Sequence, residues 1–137
     1  MTDEEQRRSR NGATFARSLA ALSRGDVEGH LMGCSDDFVL ELPYADPPVT
    51  VTGKEAVRTY LTPALATFSL HLDITRLVDC LDPDVLIAEY ASEGHVTTTT
   101  KPYANSYIAI VEFRGDLICR QREYYNPVPA WRALAPD

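Results

Sequence analysis

The hydrophobic pattern of this chain changes period once, near Leu70, and that change decides the class of fold. Before it, apolar residues recur at helical spacing. Ala13 to Arg24 reads as an amphipathic helix, with Phe15, Leu19 and Leu22 on one stripe and Ala16 and Ala20 beside it. Gly25 stops that helix, and Asp26 can cap a short second one carrying Val27, Leu31 and Met32. Phe38 to Leu42 is a strand ended by Pro43, Tyr44 to Pro48 a loop, and Val49 to Thr52 a short extended piece. Gly53 opens a third helix with Val57, Tyr60, Leu61, Ala64, Leu65 and Phe68 on its apolar side. Pro63 should kink or restart it, with Thr62 as the new cap. From Leu70 onward the chain alternates. Leu70, Leu72 and Ile74 face one way and His71, Asp73 and Thr75 the other, and Val85–His95, Ala104–Phe113 and Leu117–Tyr125 follow as strands. Arg114-Gly115-Asp116 reads as a hairpin turn between the last two. Helices first and antiparallel strands afterwards make an α+β domain, with the helices gathered on one face of one sheet.

A chain of 137 residues is one domain's worth. Residues 1–12 read as a polar N-terminal tail and 13–134 as the single domain. Folding should bury about two-thirds of the surface, and 45% apolar residues suffice to fill that interior. The net charge of −7 argues against nucleic acid and anionic membrane as partners. No apolar run approaches the ~18 residues of a membrane helix. Met1 to Arg10 carry six charges and no apolar stretch, unlike a signal peptide, so a cytoplasmic protein is expected. Cys34, Cys80 and Cys119 are odd in number and far apart, which reads as small buried hydrophobes. His30, His71 and His95 lack metal-ligand spacing, and no nucleotide-binding or serine-hydrolase motif occurs. No metal and no cofactor is expected.

Four phrases, in this order and spacing, carry a resemblance to a known superfamily. They are Ala20-Ala21-Leu22 with Arg24-Gly25-Asp26, then Glu41-Leu42-Pro43-Tyr44-Ala45, then Gly53-Lys54-Glu55-Ala56-Val57, and last Arg122-Glu123-Tyr124-Tyr125-Asn126-Pro127 with Arg132-Ala133-Leu134. Together they resemble the nuclear transport factor 2-like superfamily, which includes SnoaL-like polyketide cyclases, ketosteroid isomerases and PhzA/PhzB-type phenazine-biosynthesis proteins. The likeness runs from about Ala13 to Leu134. It implies a strongly curved antiparallel sheet, wrapped into a cone by about three helices, with an apolar central pocket and a dimer across the sheet. Ketosteroid isomerases place a general-base Asp where this chain has Leu42, and oxyanion donors where it has Ser18 and Ala109. All three roles are lost, which argues against steroid isomerisation.

The last strand retains chemistry. Alternation puts Leu117, Cys119, Gln121, Glu123 and Tyr125 on one face, and Ile118, Arg120, Arg122 and Tyr124 on the other. The arginines favour the outside, so Glu123 should face the cone. The resemblance to PhzA/PhzB-type proteins implies the same, since a similar ending there holds a Glu thought to act as acid/base. A carboxyl in an apolar pocket has its pKa raised toward neutrality, where it can take and give a proton. The alternative is a Glu123 that bonds a tyrosine or pairs with Arg120 or Arg122 at the surface. Tyr44, Tyr60, Tyr107, Gln121 and Tyr125 are the expected substrate contacts, and Glu89 is a secondary acidic candidate.

Three functions remain open: a cofactor-free isomerase, cyclase or dehydratase acting on a small apolar or polyketide-like substrate; a ligand-binding module that transforms nothing; and a structural dimer. A homodimer is expected through Ile108, Ile110, Ile118 and Tyr124 set among Glu112, Arg120 and Arg122.

Overall fold

The order of elements is α1 (Asp3–Ser23), α2 (Val27–Leu31), β1 (Cys34–Leu42), β2 (Val49–Thr52), α3 (Lys54–Thr67), β3 (Phe68–Asp79), β4 (Val85–Val96), β5 (Pro102–Arg114), β6 (Leu117–Tyr125) and α4 (Pro127–Leu134), in a computed structural model that describes residues 1–137. The six strands form one open sheet in the order β2-β1-β6-β5-β4-β3. Every neighbouring pair is antiparallel except β1 and β6, so the sheet is mixed rather than wholly antiparallel. This α+β arrangement is the cone-like fold that the resemblance implies, with α1 packed on β3 and α3 on β1. Gly115 takes the positive φ of 65° that the β5–β6 turn requires. At Gly94 a Cβ would stand 1.9 Å from the Ser69 carbonyl oxygen, so only glycine lets β3 and β4 approach this closely.

Four local expectations are corrected. Residues 3–12 are helical, not a free tail. Thr2 and Glu5 form a capping box, the Thr2 hydroxyl accepting from the Glu5 amide at 3.1 Å and the Glu5 carboxylate from the Thr2 amide at 3.0 Å. Arg7 bonds Asp84, and Arg8 donates to the Cys80 carbonyl at 3.0 Å, tying this turn of helix to the β3–β4 loop. Helix α3 runs through Pro63 without restarting, and the Thr62 hydroxyl donates back to the Arg58 carbonyl at 2.8 Å instead of capping. The periodicity places no helix after β6, yet α4 follows it; Asn126 caps it, accepting from the Val128 amide at 3.0 Å with Pro127 in the first turn.

The fourth correction matters most for the site. Glu112 pairs with Arg120 and Phe113 with Ile118, so Cys119 is an extra residue, a β-bulge in β6. The bulge shifts the alternation by one. Ile118 therefore joins the core at 0% exposure instead of the outer face, while Gln121 and Glu123 keep the inward direction. The inner core gathers Phe15, Leu19, Leu31, Phe38, Val57 and Val111 around it.

Candidate functional site

Strand register sets three tyrosines side by side on the inner face. Tyr90 of β4 pairs with Tyr107 of β5, which pairs with Tyr125 of β6. The Tyr90 and Tyr107 rings stack at 5.0 Å and 13°, and Tyr107 meets Tyr125 at 6.1 Å and 41°. In the next row Ala88 pairs with Ala109, and Ala109 with Glu123. Directly opposed residues stand with Cβ atoms about 5 Å apart, so two methyl groups leave room for a longer side chain beside them. Glu123 occupies it.

The Tyr90 hydroxyl donates to Glu123 Oε1, while Oε2 has no partner in the chain. No Lys or Arg borders the interior cavity. Arg122 donates to Glu41 at 2.8 Å on the outer face and Arg120 pairs with the same carboxylate. Burial alone would raise the Glu41 carboxyl, but these two arginines hold it below the usual range. They do not reach Glu123, whose carboxyl burial pushes above its ordinary range, with the Tyr90 hydrogen bond partly opposing the rise.

The cavity above this row has a volume of about 200 Å³. Leu40, Leu42, Leu61, Phe68 and Leu70 form its apolar wall, and the polar points are His30, Gln121, Glu123 and the four tyrosines Tyr60, Tyr103, Tyr107 and Tyr125. Two of those hydroxyls are already engaged: Asn105 donates to Tyr103 at 2.8 Å, Tyr103 and Tyr107 meet at 3.2 Å, and Tyr107 and Ser92 at 2.8 Å. Tyr60 and Tyr125 have no hydrogen-bond partner in the chain. Burial, reinforced by the nearby Glu123 charge, raises the Tyr60 phenol and pushes Tyr125 up to about 12. Both are protonated donors at neutral pH. An uncompensated carboxyl beside two free phenols can move a proton next to a carbonyl while a phenol carries the developing oxyanion.

Gln121, Tyr60, Tyr107 and Tyr125 thus meet around Glu123. Tyr44 does not. Pro43 ends the alternation of β1, and Tyr44 swings outward, 60% exposed, to pack edge-on against Tyr124 at 5.3 Å. That pair borders a hollow of about 690 Å³ on the outer sheet face, shared with Glu89, Ile108 and Pro127. The hollow is larger than the interior cavity, but it lies open on the sheet surface instead of enclosed by the helices. Glu89 therefore lies outside the cavity.

Two residues escaped the sequence reading. Tyr90 shares the inward parity of Leu86 and Ala88, and placing Glu89 outward would have placed Tyr90 inward. His30, on α2, is 3% exposed and borders the cavity. Its Nδ1 contacts the Ser18 hydroxyl and lies 3.3 Å from the Ser18 carbonyl, and burial lowers its pKa to about 4.

An open α+β cone closed around a small cavity with one buried carboxyl is the class of protein that this geometry defines. The SnoaL-like domain family matches residues 15–121, and the chain belongs to that family. The matched span ends two residues before Glu123. The uncharacterized protein YesE of Bacillus subtilis is 30% identical over 118 residues, spanning 84% of this chain and 80% of YesE. The uncharacterized PhzA/B-like protein PA3332 of Pseudomonas aeruginosa is 27% identical over 122 residues, 88% of this chain and 86% of that one. Among crystal structures, a Bacillus subtilis protein whose isomerase assignment is itself provisional superposes with a TM-score of 0.86 at 27% identity, covering 96% and 95% of the two chains. No helix is long and apolar enough to cross a membrane.

Proposed function

We propose that the chain is a cofactor-free acid/base enzyme, an isomerase, cyclase or dehydratase, acting on a small, mostly apolar carbonyl compound. One observation carries the reading: Glu123 faces the interior cavity with no cation beside it, one oxygen held by Tyr90 and the other open to the cavity. Glu123 takes a proton from the carbon beside the carbonyl and returns it elsewhere. Tyr60 or Tyr125 donates to the carbonyl oxygen, and Gln121 orients the ring. A cavity of about 200 Å³ lies below the ~300 Å³ at which ligand pockets ordinarily begin, so one or two rings fit better than a four-ring steroid.

The test is proton exchange. The bicyclic ketone tetralone in heavy water should exchange the hydrogens beside its carbonyl faster with the protein than without it. Glu123→Gln should return that rate to background, because Gln keeps the volume and one acceptor but cannot act as a general base or acid in the working range. A parent protein that binds tetralone yet leaves the exchange rate at background makes the cavity a binding site only. A Gln variant that matches an exchanging parent takes the proton transfer away from Glu123.

The same reading includes a homodimer across the outer sheet face. Ile108 is 40% exposed there, beside Ile110 and the Tyr44–Tyr124 pair, and the intrachain pairing of Arg120 and Arg122 with Glu41 lowers the cost of burying those arginines. A light-scattering mass of twice 15.2 kDa is expected, and a monomer mass at micromolar concentration overturns it.

A further inference from the structure

We infer that His30 is a second polar anchor of the cavity, an acceptor for a hydroxyl or N–H group on the end of the ligand away from Glu123. The inference rests on the proposed small carbonyl ligand and names its other end: a neutral ring ketone that carries a hydrogen-bond donor remote from the ketone.

The tautomer follows from the contacts. We assign the proton to Nδ1, because the Ser18 carbonyl 3.3 Å away can only accept and this tautomer satisfies it. The Ser18 hydroxyl completes the arrangement, accepting from Nδ1 and donating to the His30 carbonyl at 3.3 Å. Nε2 then holds the lone pair. No hydrogen bond within the chain engages it, and the residue, 3% exposed, lines the cavity. Phe38 meets the imidazole edge-on at 6.3 Å and 77°, which fixes the ring plane. Asp26 caps α2, accepting from the Gly29 amide at 2.9 Å, and so holds the helix that carries the histidine. A pKa of about 4 keeps the ring neutral in the physiological range, so it presents an acceptor and not a cation. An acceptor in an apolar wall favours a donor and rejects an ether or a carboxylate.

Placement supports two separate ends. His30 packs against Phe38, and the pairs Leu40–Gln121 and Glu41–Arg122 put Glu123 level with Leu42. Phe38 and Leu42 lie four residues apart on β1, about 13 Å of strand. Glu123 and His30 therefore address opposite ends of a ligand.

The experiment uses tetralone, its ring-hydroxylated form with the hydroxyl away from the ketone, and the matching methoxy compound, each titrated calorimetrically into the full chain. Hydroxytetralone should bind about tenfold more tightly than methoxytetralone. In His30→Leu that ratio should fall toward one. On the unmutated protein, nitrogen NMR should show Nε2 unprotonated at neutral pH and shifted by hydroxytetralone but not by methoxytetralone, a readout that does not depend on the variant folding. Two results overturn the assignment while leaving the cavity reading intact: tetralone binding with no preference for the hydroxyl, or a preference that survives His30→Leu. A static Nε2 resonance in the presence of bound hydroxytetralone overturns it as well. If none of the three ketones binds, the carbonyl-ligand reading fails and takes this inference with it.

Discussion

The inward face of β4, β5 and β6 divides into two halves that obey the same alternation and hold opposite contents. Toward the β5–β6 turn, Leu86, Val111, Phe113 and Ile118 close against Phe38 and Cys34, leaving almost nothing exposed. Toward the other end, Tyr90, Tyr107 and Tyr125 stand in a row over Glu123 and leave a cavity. Branched aliphatic side chains interdigitate and collapse any space between them. Flat rings that lean on each other at 5.0 and 6.1 Å cannot, and the Tyr90 and Tyr107 hydroxyls are tied to Glu123 and to Ser92 and Tyr103. A void therefore persists in one half because its walls are braced sideways rather than inward. The row of Ala88, Ala109 and Glu123 is the boundary between the halves.

Substitutions on either side of that boundary sharpen the contrast. Phe38→Ala, in the packed half, should cost about 3–5 kcal/mol in a urea titration. A cost under about 1 kcal/mol would mean that this half is not packed as described. His30 comes next. Its pKa of about 4 lies below the 6.5 of an unfolded histidine, so its contribution is full above pH 6.5 and is lost as pH falls toward about 4. That loss is on the order of 3 kcal/mol, and His30→Leu should flatten this part of the stability–pH curve. Tyr90→Phe should cost about 2 kcal/mol by removing the donor to a buried carboxyl. It should also move the activity–pH profile to higher pH, because that hydrogen bond is what opposes the rise in the Glu123 pKa.

The smallest effect is expected at Glu123 itself. Its pKa is raised on folding, so the ionised form destabilises the folded state, and this penalty appears as pH climbs past the unfolded value of 4.5. Glu123→Gln should accordingly be more stable than the parent by about 1 kcal/mol at neutral pH, with the difference fading in acid. A less stable Gln variant would break the contrast between a half filled by packing and a half that holds an uncompensated carboxyl.

Much of this is legible in the chain, and each failure has its own physical cause. Alternation placed Glu123 and Gln121 inward because it acts within one strand and needs only local parity. It misplaced Ile118 because an inserted residue, Cys119, leaves no composition signal that separates a bulge from a regular strand residue. Tyr44 was lost at Pro43, where the chain leaves the strand and parity stops carrying direction. The Thr2–Glu5 box and the Asn126-Pro127 cap were readable signals for α1 and α4 that hydrophobic periodicity does not weigh. His30 was opaque for a different reason. Its role depends on a cavity between α2 and β6, elements about 90 residues apart in sequence, and no local pattern encodes such a meeting.

The parallel pairing of β1 with β6 also governs how the chain can be assembled. Leu40 pairs with Gln121, so this seam of the sheet closes a loop of 81 residues. Closure entropy grows only logarithmically with loop length, yet contacts this distant slow the search for the native arrangement. On a ribosome, β1 emerges early and waits with one edge unfilled, exposing Leu40 and Leu42 until the penultimate segment of the polypeptide is released. The strand that brings Glu123 is thus also the keystone that completes the sheet. The nascent protein acquires its candidate catalytic carboxyl and its cooperative folding in the same event.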